Sequence, residues 1–164
     1  MEAESLVREA LTRHGATVEW MACDPELADT AQFCAAYGID PADSANTIVV
    51  VGKADPPRYA ACVVLATTRL DVNSAVRKRL GTKKASFASA EETRALTSML
   101  IGGVTAFGLP ATMPVWVDAA VMQRESIVLG GGSRSWKLRC APQALLAIPT
   151  VEVVADLARA SGSE

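Results

Sequence analysis

The chain has 164 residues, half of them hydrophobic, a formal net charge of −2, and no apolar run near the ~20 residues of a membrane span. This composition predicts one globular domain over residues 1–164 and argues against a membrane protein. Its four cysteines lie far apart without a C-x-x-C pair, which favours buried thiols over a disulfide framework or a zinc site. The acidic start is unlike a signal peptide, so we expect a cytoplasmic protein.

Charge is distributed unevenly along the chain. Residues 1–45 contain nine acidic and two basic residues (net −7), whereas residues 46–164 contain nine acidic and fourteen basic ones (net +5). Many of these bases fall between residues 69 and 94. A basic face suits a transient nucleic-acid partner, but a solvated helix face explains the same residues without any partner. Charge alone leaves both interpretations open.

Hydrophobic periodicity predicts the elements of the first half. It indicates a helix over residues 3–14, a short strand at 18–20 and a second helix over 26–37. The segments 47–51 and 60–66 are continuous, β-branched, apolar runs, which predict two buried strands joined by a turn.

The second half alternates between helices and strands. Asp71 is predicted to cap a helix that ends before Gly81, and Ser89 opens another helix with a capping box. Alternating or β-branched segments predict strands at 115–117, 126–129 and 136–140. Pro142 suits a first helical turn, and residues 150–160 are also predicted to be helical. These elements predict an α/β domain with helices packed around a mostly buried sheet.

Two glycine clusters lie in apolar surroundings, Gly102-Gly103 and Gly130-Gly131-Gly132. Glycine persists where a side chain would obstruct a ligand or a closely approaching backbone. We therefore predict a pocket walled partly by main chain, with ordinary turns as the alternative.

Conventional catalytic groups are scarce. The sole histidine, His14, lies at a predicted helix end, so the chain lacks the pattern of a Ser-His-Asp or Cys-His relay. No metal-binding or phosphate-binding motif is present. Asp118 follows a predicted strand and is either a turn residue or part of a site. Such a domain can still catalyse by holding a reactive ester among backbone donors while a water or a substrate hydroxyl reacts.

Several short motifs occur in an order and spacing typical of one family. They are Thr30 before Gly38-Ile-Asp-Pro41, Ala45-Asn-Thr-Ile-Val-Val-Val51, Arg69-Leu-Asp71, Leu80-Gly-Thr-Lys-Lys84, Gly102-Gly-Val-Thr105, Met113-Pro-Val-Trp-Val-Asp118 and Ile127-Val-Leu-Gly-Gly-Gly132. Together they resemble the YbaK/EbsC family, freestanding relatives of the editing domain of bacterial prolyl-tRNA synthetases.

The resemblance implies an α/β fold with a mixed, barrel-like β-sheet flanked by helices. It also implies trans-editing, the hydrolysis of the ester that joins a wrong amino acid to the 3′ end of a tRNA, without a metal or cofactor. The catalytic positions would be Asn46, Gly102 and Gly103. The substrate-binding positions would be Thr30, Thr47, Asp118, Gly130, Gly131, Gly132 and Arg134. Aminoacylated tRNA would be the partner, with residues 69–94 as a candidate tRNA-facing surface.

The chain departs from this family at one chemically important position. Asn46 stands where the family pattern has a lysine, and a short neutral amide replaces a mobile positive charge. A loss of about 1–2 kcal/mol in the transition state would slow the reaction roughly 5- to 30-fold. Arg134 is the best-placed substitute base, because it follows the glycine triplet. Ala106 and Ser98 also depart from the family pattern and should alter the shape of the pocket.

Three functions therefore compete. The first is a deacylase of altered specificity or reduced activity, and the second is a non-catalytic module that binds tRNA or a small aminoacyl ligand. The third is a partner subunit of an aminoacyl-tRNA synthetase. The substitution Asn46→Lys, which restores the family residue, is the test: created or strongly raised deacylation would indicate an attenuated or retired editor. No effect on an active protein would indicate that Asn46 belongs to a different working mechanism.

Overall fold

Four α-helices and ten β-strands make up most of the regular structure of residues 2–160, which are the residues that this computed structural model describes. The α-helices are α1 (Ala3–His14), α2 (Thr30–Tyr37), α3 (Arg77–Leu80) and α4 (Ala90–Thr97). The strands are β1 (Glu19–Ala22), β2 (Ala45–Gly52), β3 (Arg58–Leu65), β4 (Thr68–Leu70), β5 (Ala85–Phe87), β6 (Val115–Asp118), β7 (Ile127–Gly130), β8 (Trp136–Cys140), β9 (Val151–Val154) and β10 (Ala158–Ala160). Shorter helical turns cover Pro25–Leu27, Pro41–Asp43, Val72–Val76, Ala119–Gln123 and Pro142–Ala147.

A five-stranded sheet in the order β5-β2-β3-β6-β9 lies at the centre of the fold. Strand β6 pairs in parallel with β3 and β9, and the other pairs are antiparallel. Alternate residues of β3 enter different hydrophobic cores: Ala61 and Val63 pack into one core, Cys62 and Val64 into the other. Because both faces of β3 are covered, its sequence is a continuous apolar run. The predicted pair of buried strands joined by a turn is confirmed.

Two smaller sheets complete the strand pairing. Strands β1, β8 and β7 form an antiparallel sheet with β8 in the middle, and β10 pairs with β4. A bridge between Ser44 and Val128 connects β7 to the start of β2. The predicted mixed α/β fold with flanking helices is confirmed, although the described strands form three sheets and not one closed barrel.

The predicted helix caps are present. The Ser89 hydroxyl accepts from the Glu92 N–H, and the Glu92 carboxylate accepts from the Ser89 N–H, each at 3.0 Å. The Asp71 carboxylate accepts from the Ser74 N–H at 3.2 Å, and a π-helical turn precedes α3. These bonds satisfy backbone donors that a helix leaves unpaired at its start.

The prediction of a helix over residues 150–160 is wrong. This segment forms β9, which pairs in parallel with β6, and β10, which pairs with β4. Edge positions beside existing strands supply backbone partners, and they override the weak helical pattern of this segment. The predicted helix over 26–37 begins only at Thr30, because Asp29 has an extended backbone (φ −68°, ψ 141°) that separates it from the turn at Pro25–Leu27.

The cysteines confirm their predicted role. Cys23, Cys34, Cys62 and Cys140 are all buried and free. Burial raises the pKa of the Cys62 thiol to about 12 and that of the Cys140 thiol to about 11. These two thiols therefore behave as small hydrophobic side chains. Among residues 2–160, no helix is both long enough and apolar enough to cross a membrane.

Candidate active site

A cavity of about 240 Å³ lies where the start of α2, the start of β2, the turn after Ile101 and strands β7 and β8 converge. Five of the predicted site residues line it: Thr30, Asn46, Thr47, Gly102 and Gly130. The structure therefore brings together residues that are up to 100 positions apart in the chain.

A hydrogen bond joins the side chain of Thr30, the first residue of α2, to that of Asn46 on β2. The Thr30 hydroxyl donates to Asn46 Oδ1 at 2.7 Å. This bond holds the amide in one orientation, and the Asn46 NH₂ group has no acceptor among residues 2–160. A ligand in the cavity can therefore accept a hydrogen bond from Asn46.

Thr47 presents an unsatisfied hydroxyl. Its side chain lines the cavity and is 8% exposed, and Thr47 Oγ1 has no hydrogen-bond partner in the described part of the chain. The oxygen itself is fully buried, and neighbouring residues of a strand point to opposite faces, so Thr47 Oγ1 does not lie beside the Asn46 amide. Thr47 therefore forms part of the cavity wall without offering an accessible hydroxyl to a bound molecule.

The two glycine clusters pack directly on each other. A Cβ atom on Gly130 would overlap the backbone of Gly103 and Val104, and the Gly132 N–H donates to the Gly103 carbonyl at 2.7 Å. Gly103 is packed against the backbone of Ser133 and does not line the cavity. The predicted close approach is therefore backbone against backbone, and it leaves Gly102 and Gly130 as the cavity wall.

Three other predicted residues lie away from the cavity wall. Gly131 packs against the Trp136 backbone, and Gly132 packs against α1. Asp118 is 3% exposed and accepts from the Leu157 and Ala158 N–H groups at 3.0 and 3.3 Å. It anchors the chain before β10, which is the turn role that the sequence left open. His14 lies in the last turn of α1 and likewise does not line the cavity.

Arg134 is held beside the cavity and does not extend over it. Its guanidinium donates to the Asp29 carboxylate at 3.0 Å and to the carbonyls of Pro25 and Ile101 at 2.9 and 2.7 Å. The hydrogen bond from Arg134 lowers the pKa of Asp29 below its ordinary value. Arg134 thereby ties the segment before α2 to the turn that carries Gly102.

Lys137 is the site residue that the sequence did not indicate. It lines the cavity from β8 and is 6% exposed, with Nζ donating to the Ala28 carbonyl at 2.6 Å and the Gly102 carbonyl at 2.8 Å. Its ammonium also lies 5.1 Å from the centre of the Phe33 ring. The alternation in residues 136–140 resembled a half-exposed strand, but β8 is the middle strand of its sheet and α2 covers its Lys137 side.

Burial lowers the pKa of Lys137 below its ordinary value; Cys23 and Asp29 oppose this shift, and Arg134 adds to it. The unfolded chain therefore retains this proton at pH values where the folded protein releases it, so the lysine makes stability rise as the pH approaches 10.5. We expect the difference in unfolding free energy, wild type minus Lys137→Met, to increase between pH 7.5 and pH 10 in urea titrations. Parallel pH profiles for the two proteins would contradict the lowered pKa.

Several known proteins are similar to this chain. Residues 24–148 match the family model of the aminoacyl-tRNA editing domain. The chain is 26% identical over 111 residues to EbsC of Enterococcus faecalis, which is named as a candidate Cys-tRNA(Pro)/Cys-tRNA(Cys) deacylase. The match covers 68% of this chain and 66% of that protein, just under two thirds of its length.

Two crystal structures share the fold. The hypothetical protein APE2540 superposes with a TM-score of 0.82 at 25% identity, over 94% of this chain and 99% of that one. A candidate trans-editing enzyme for prolyl-tRNA synthetase superposes with a TM-score of 0.79 at 23% identity, over 94% of this chain and 96% of that one.

Proposed function

Because the chain belongs to the aminoacyl-tRNA editing domain family, we propose that it is a trans-editing deacylase that hydrolyses the ester of a mischarged tRNA. The observation that carries the proposal is the cavity, in which Thr30 orients the Asn46 amide and Gly102 forms part of the wall. Donors without protein acceptors suit an ester, whose oxygen atoms accept hydrogen bonds.

The size and chemistry of the cavity favour a small acyl group. About 240 Å³ must hold the acyl group and part of the terminal ribose, and apolar residues such as Ile48, Val49 and Val104 line it beside the polar ones. A hydrophobic pocket separates substrates that differ by one methylene only about 10- to 200-fold. We therefore propose alanyl, seryl, threonyl and cysteinyl esters as the substrates to compare; the name of the Enterococcus faecalis relative adds weight to cysteine.

The exposed bases provide a surface for the tRNA body. Lys78, Lys83, Lys84 and Arg94 are exposed, whereas Arg79 pairs with Glu152 and packs on the Trp116 ring. These four bases form no ion pair among residues 2–160, and they would bind phosphates weakly and in a salt-dependent manner, as a transient enzyme–tRNA complex requires.

The test is a deacylation panel with tRNAs charged with alanine, serine, threonine and cysteine. We expect hydrolysis of at least one ester well above the buffer rate. Turnover at the buffer rate for every ester would contradict the proposal. In that case, saturable, salt-sensitive binding of tRNA without hydrolysis would support the binding module, for which the neutral Asn46 is the favouring observation. Co-purification with a synthetase and weak affinity for tRNA alone would support a partner subunit.

A further inference from the structure

Lys137 is a buried charge without a paired carboxylate. In the described part of the chain, none of the ion pairs includes Lys137, and its Nζ donates only to the Ala28 and Gly102 carbonyls. The nearest acid on the cavity wall, Asp29, is held by Arg134. Keeping an ammonium out of water costs free energy that two neutral acceptors do not fully return. This arrangement requires a reason beyond packing.

The ammonium has one donor to spare. It carries three N–H groups, of which two bind protein carbonyls, and Lys137 lines the same cavity as Asn46 and Thr47. In the described part of the chain, Lys137 and Asn46 therefore each have an N–H donor without a protein acceptor, and one of the two is cationic. The cavity is suited to an oxygen atom that carries, or acquires, negative charge.

We propose that Lys137 is a catalytic residue of this cavity: its third N–H binds the acyl carbonyl oxygen of the substrate ester and stabilises the negative charge that forms there. This inference rests on the proposed deacylase function. It assigns to β8 the positive charge that the family resemblance assigns to a lysine at position 46, where this chain has Asn46. A charge delivered from β8 makes a second lysine at position 46 unnecessary.

The reaction that Lys137 assists is a hydrolysis. The oxygen of a water molecule bonds to the acyl carbon, and the carbonyl electron pair moves onto the oxygen that Lys137 contacts. The tetrahedral intermediate then collapses and the bond to the ribose 3′ oxygen breaks. Of the two water protons, one ends on the 3′ hydroxyl of the tRNA and the other is released with the amino-acid carboxylate. Lys137 keeps its own proton throughout.

The first experiment removes the charge and keeps the length of the side chain. We expect Lys137→Met to lower kcat about 100-fold on the best ester of the panel, the scale for one lost oxyanion donor, with a smaller change in KM. The control Lys53→Met makes the same change at an exposed lysine outside the cavity and should leave kcat unchanged. Lys137→Gln keeps a donor for the wall carbonyls, so it serves in place of Lys137→Met if that variant does not fold.

A second variant separates charge from wall packing. If Lys137 acts through its charge, Asn46→Lys in the Lys137→Met background should restore at least about 10-fold of the lost kcat, because it returns an ammonium to the cavity. A kcat of Lys137→Met equal to that of the wild type would overturn the inference while leaving the deacylase function intact. Loss of activity without any rescue by Asn46→Lys would also overturn the inference. That result would mean that Lys137 has a structural role, in which its ammonium binds the Ala28 and Gly102 carbonyls.

Failure of the deacylase function itself would look different. If wild-type protein hydrolyses no ester, binding of a non-hydrolysable 3′-aminoacylamido-adenosine to both proteins decides the role of Lys137. Binding at least about 10-fold weaker in Lys137→Met would retain Lys137 as a contact to the acyl carbonyl. Equal binding, or no binding by the wild type, would overturn the inference.

Discussion

Asn46→Lys alone is expected to lower deacylation by about 10-fold or more, even though it restores the residue of the family pattern. The substitution removes the oxygen that accepts from the Thr30 hydroxyl at 2.7 Å. It also places a second ammonium in the cavity that Lys137 lines. Two like charges in a partly desolvated site repel, and one of them loses its proton more readily.

The measurement is kcat/KM for wild type, Asn46→Lys and the control Asn46→Met on the same ester. Both variants remove the Thr30 acceptor, but only lysine adds charge, so lysine should be the more damaging of the two in the native background. In the Lys137→Met background the order should reverse, so that Asn46→Lys has the higher kcat/KM of the two variants. An Asn46→Lys protein that is faster than wild type would show instead that the native site is an attenuated one and that Lys137 does not act as its cation.

Asp118→Ala is expected to lower the free energy of unfolding by about 3 kcal/mol. The carboxylate is 3% exposed and accepts from the backbone N–H groups of Leu157 and Ala158. Its removal leaves the buried Leu157 N–H and the half-buried Ala158 N–H near the start of β10 without this acceptor. Bonds to charged groups and unsatisfied buried donors each cost free energy on this scale.

Urea denaturation of wild type, Asp118→Ala and Asp118→Asn measures this effect. Asparagine keeps an oxygen in place and should lose about 1 kcal/mol, because a neutral acceptor replaces a charged one. Since Asp118 lies outside the cavity, the folded variants should keep the wild-type kcat. A large fall in kcat in a variant as stable as the wild type would indicate that Asp118 acts in the active site, and it would contradict the structural role.

Much of the site was predictable because its residues belong to short motifs. Thr30, Asn46, Thr47, Gly102 and Gly130 were all expected at one pocket, and all five line the cavity. The remaining glycines carried an ambiguous signal, since glycine accommodates a ligand and a neighbouring backbone equally well. Gly103, Gly131 and Gly132 proved to have protein neighbours.

The different places of Arg134 and Lys137 could not be predicted, for one physical reason. Sequence shows that a base lies near a glycine loop, but it does not show which carbonyls or carboxylates lie within reach. The Arg134 guanidinium donates hydrogen bonds to the Asp29 carboxylate and to the Pro25 and Ile101 carbonyls, whereas Lys137 lines the cavity. The alternating pattern of residues 136–140 predicts that Lys137 faces solvent, but α2 covers that side of β8.

The sequence by itself determined the α/β class, the buried strands β2 and β3, the helix caps and the family, because each rests on local pattern and spacing. Tertiary structure alone decided that residues 151–154 and 158–160 form strands, since their backbone partners lie in β6 and β4. It also decided which cation lines the cavity. Burial and hydrogen-bond partners depend on segments more than 100 residues apart, as the bond from Lys137 to Ala28 illustrates.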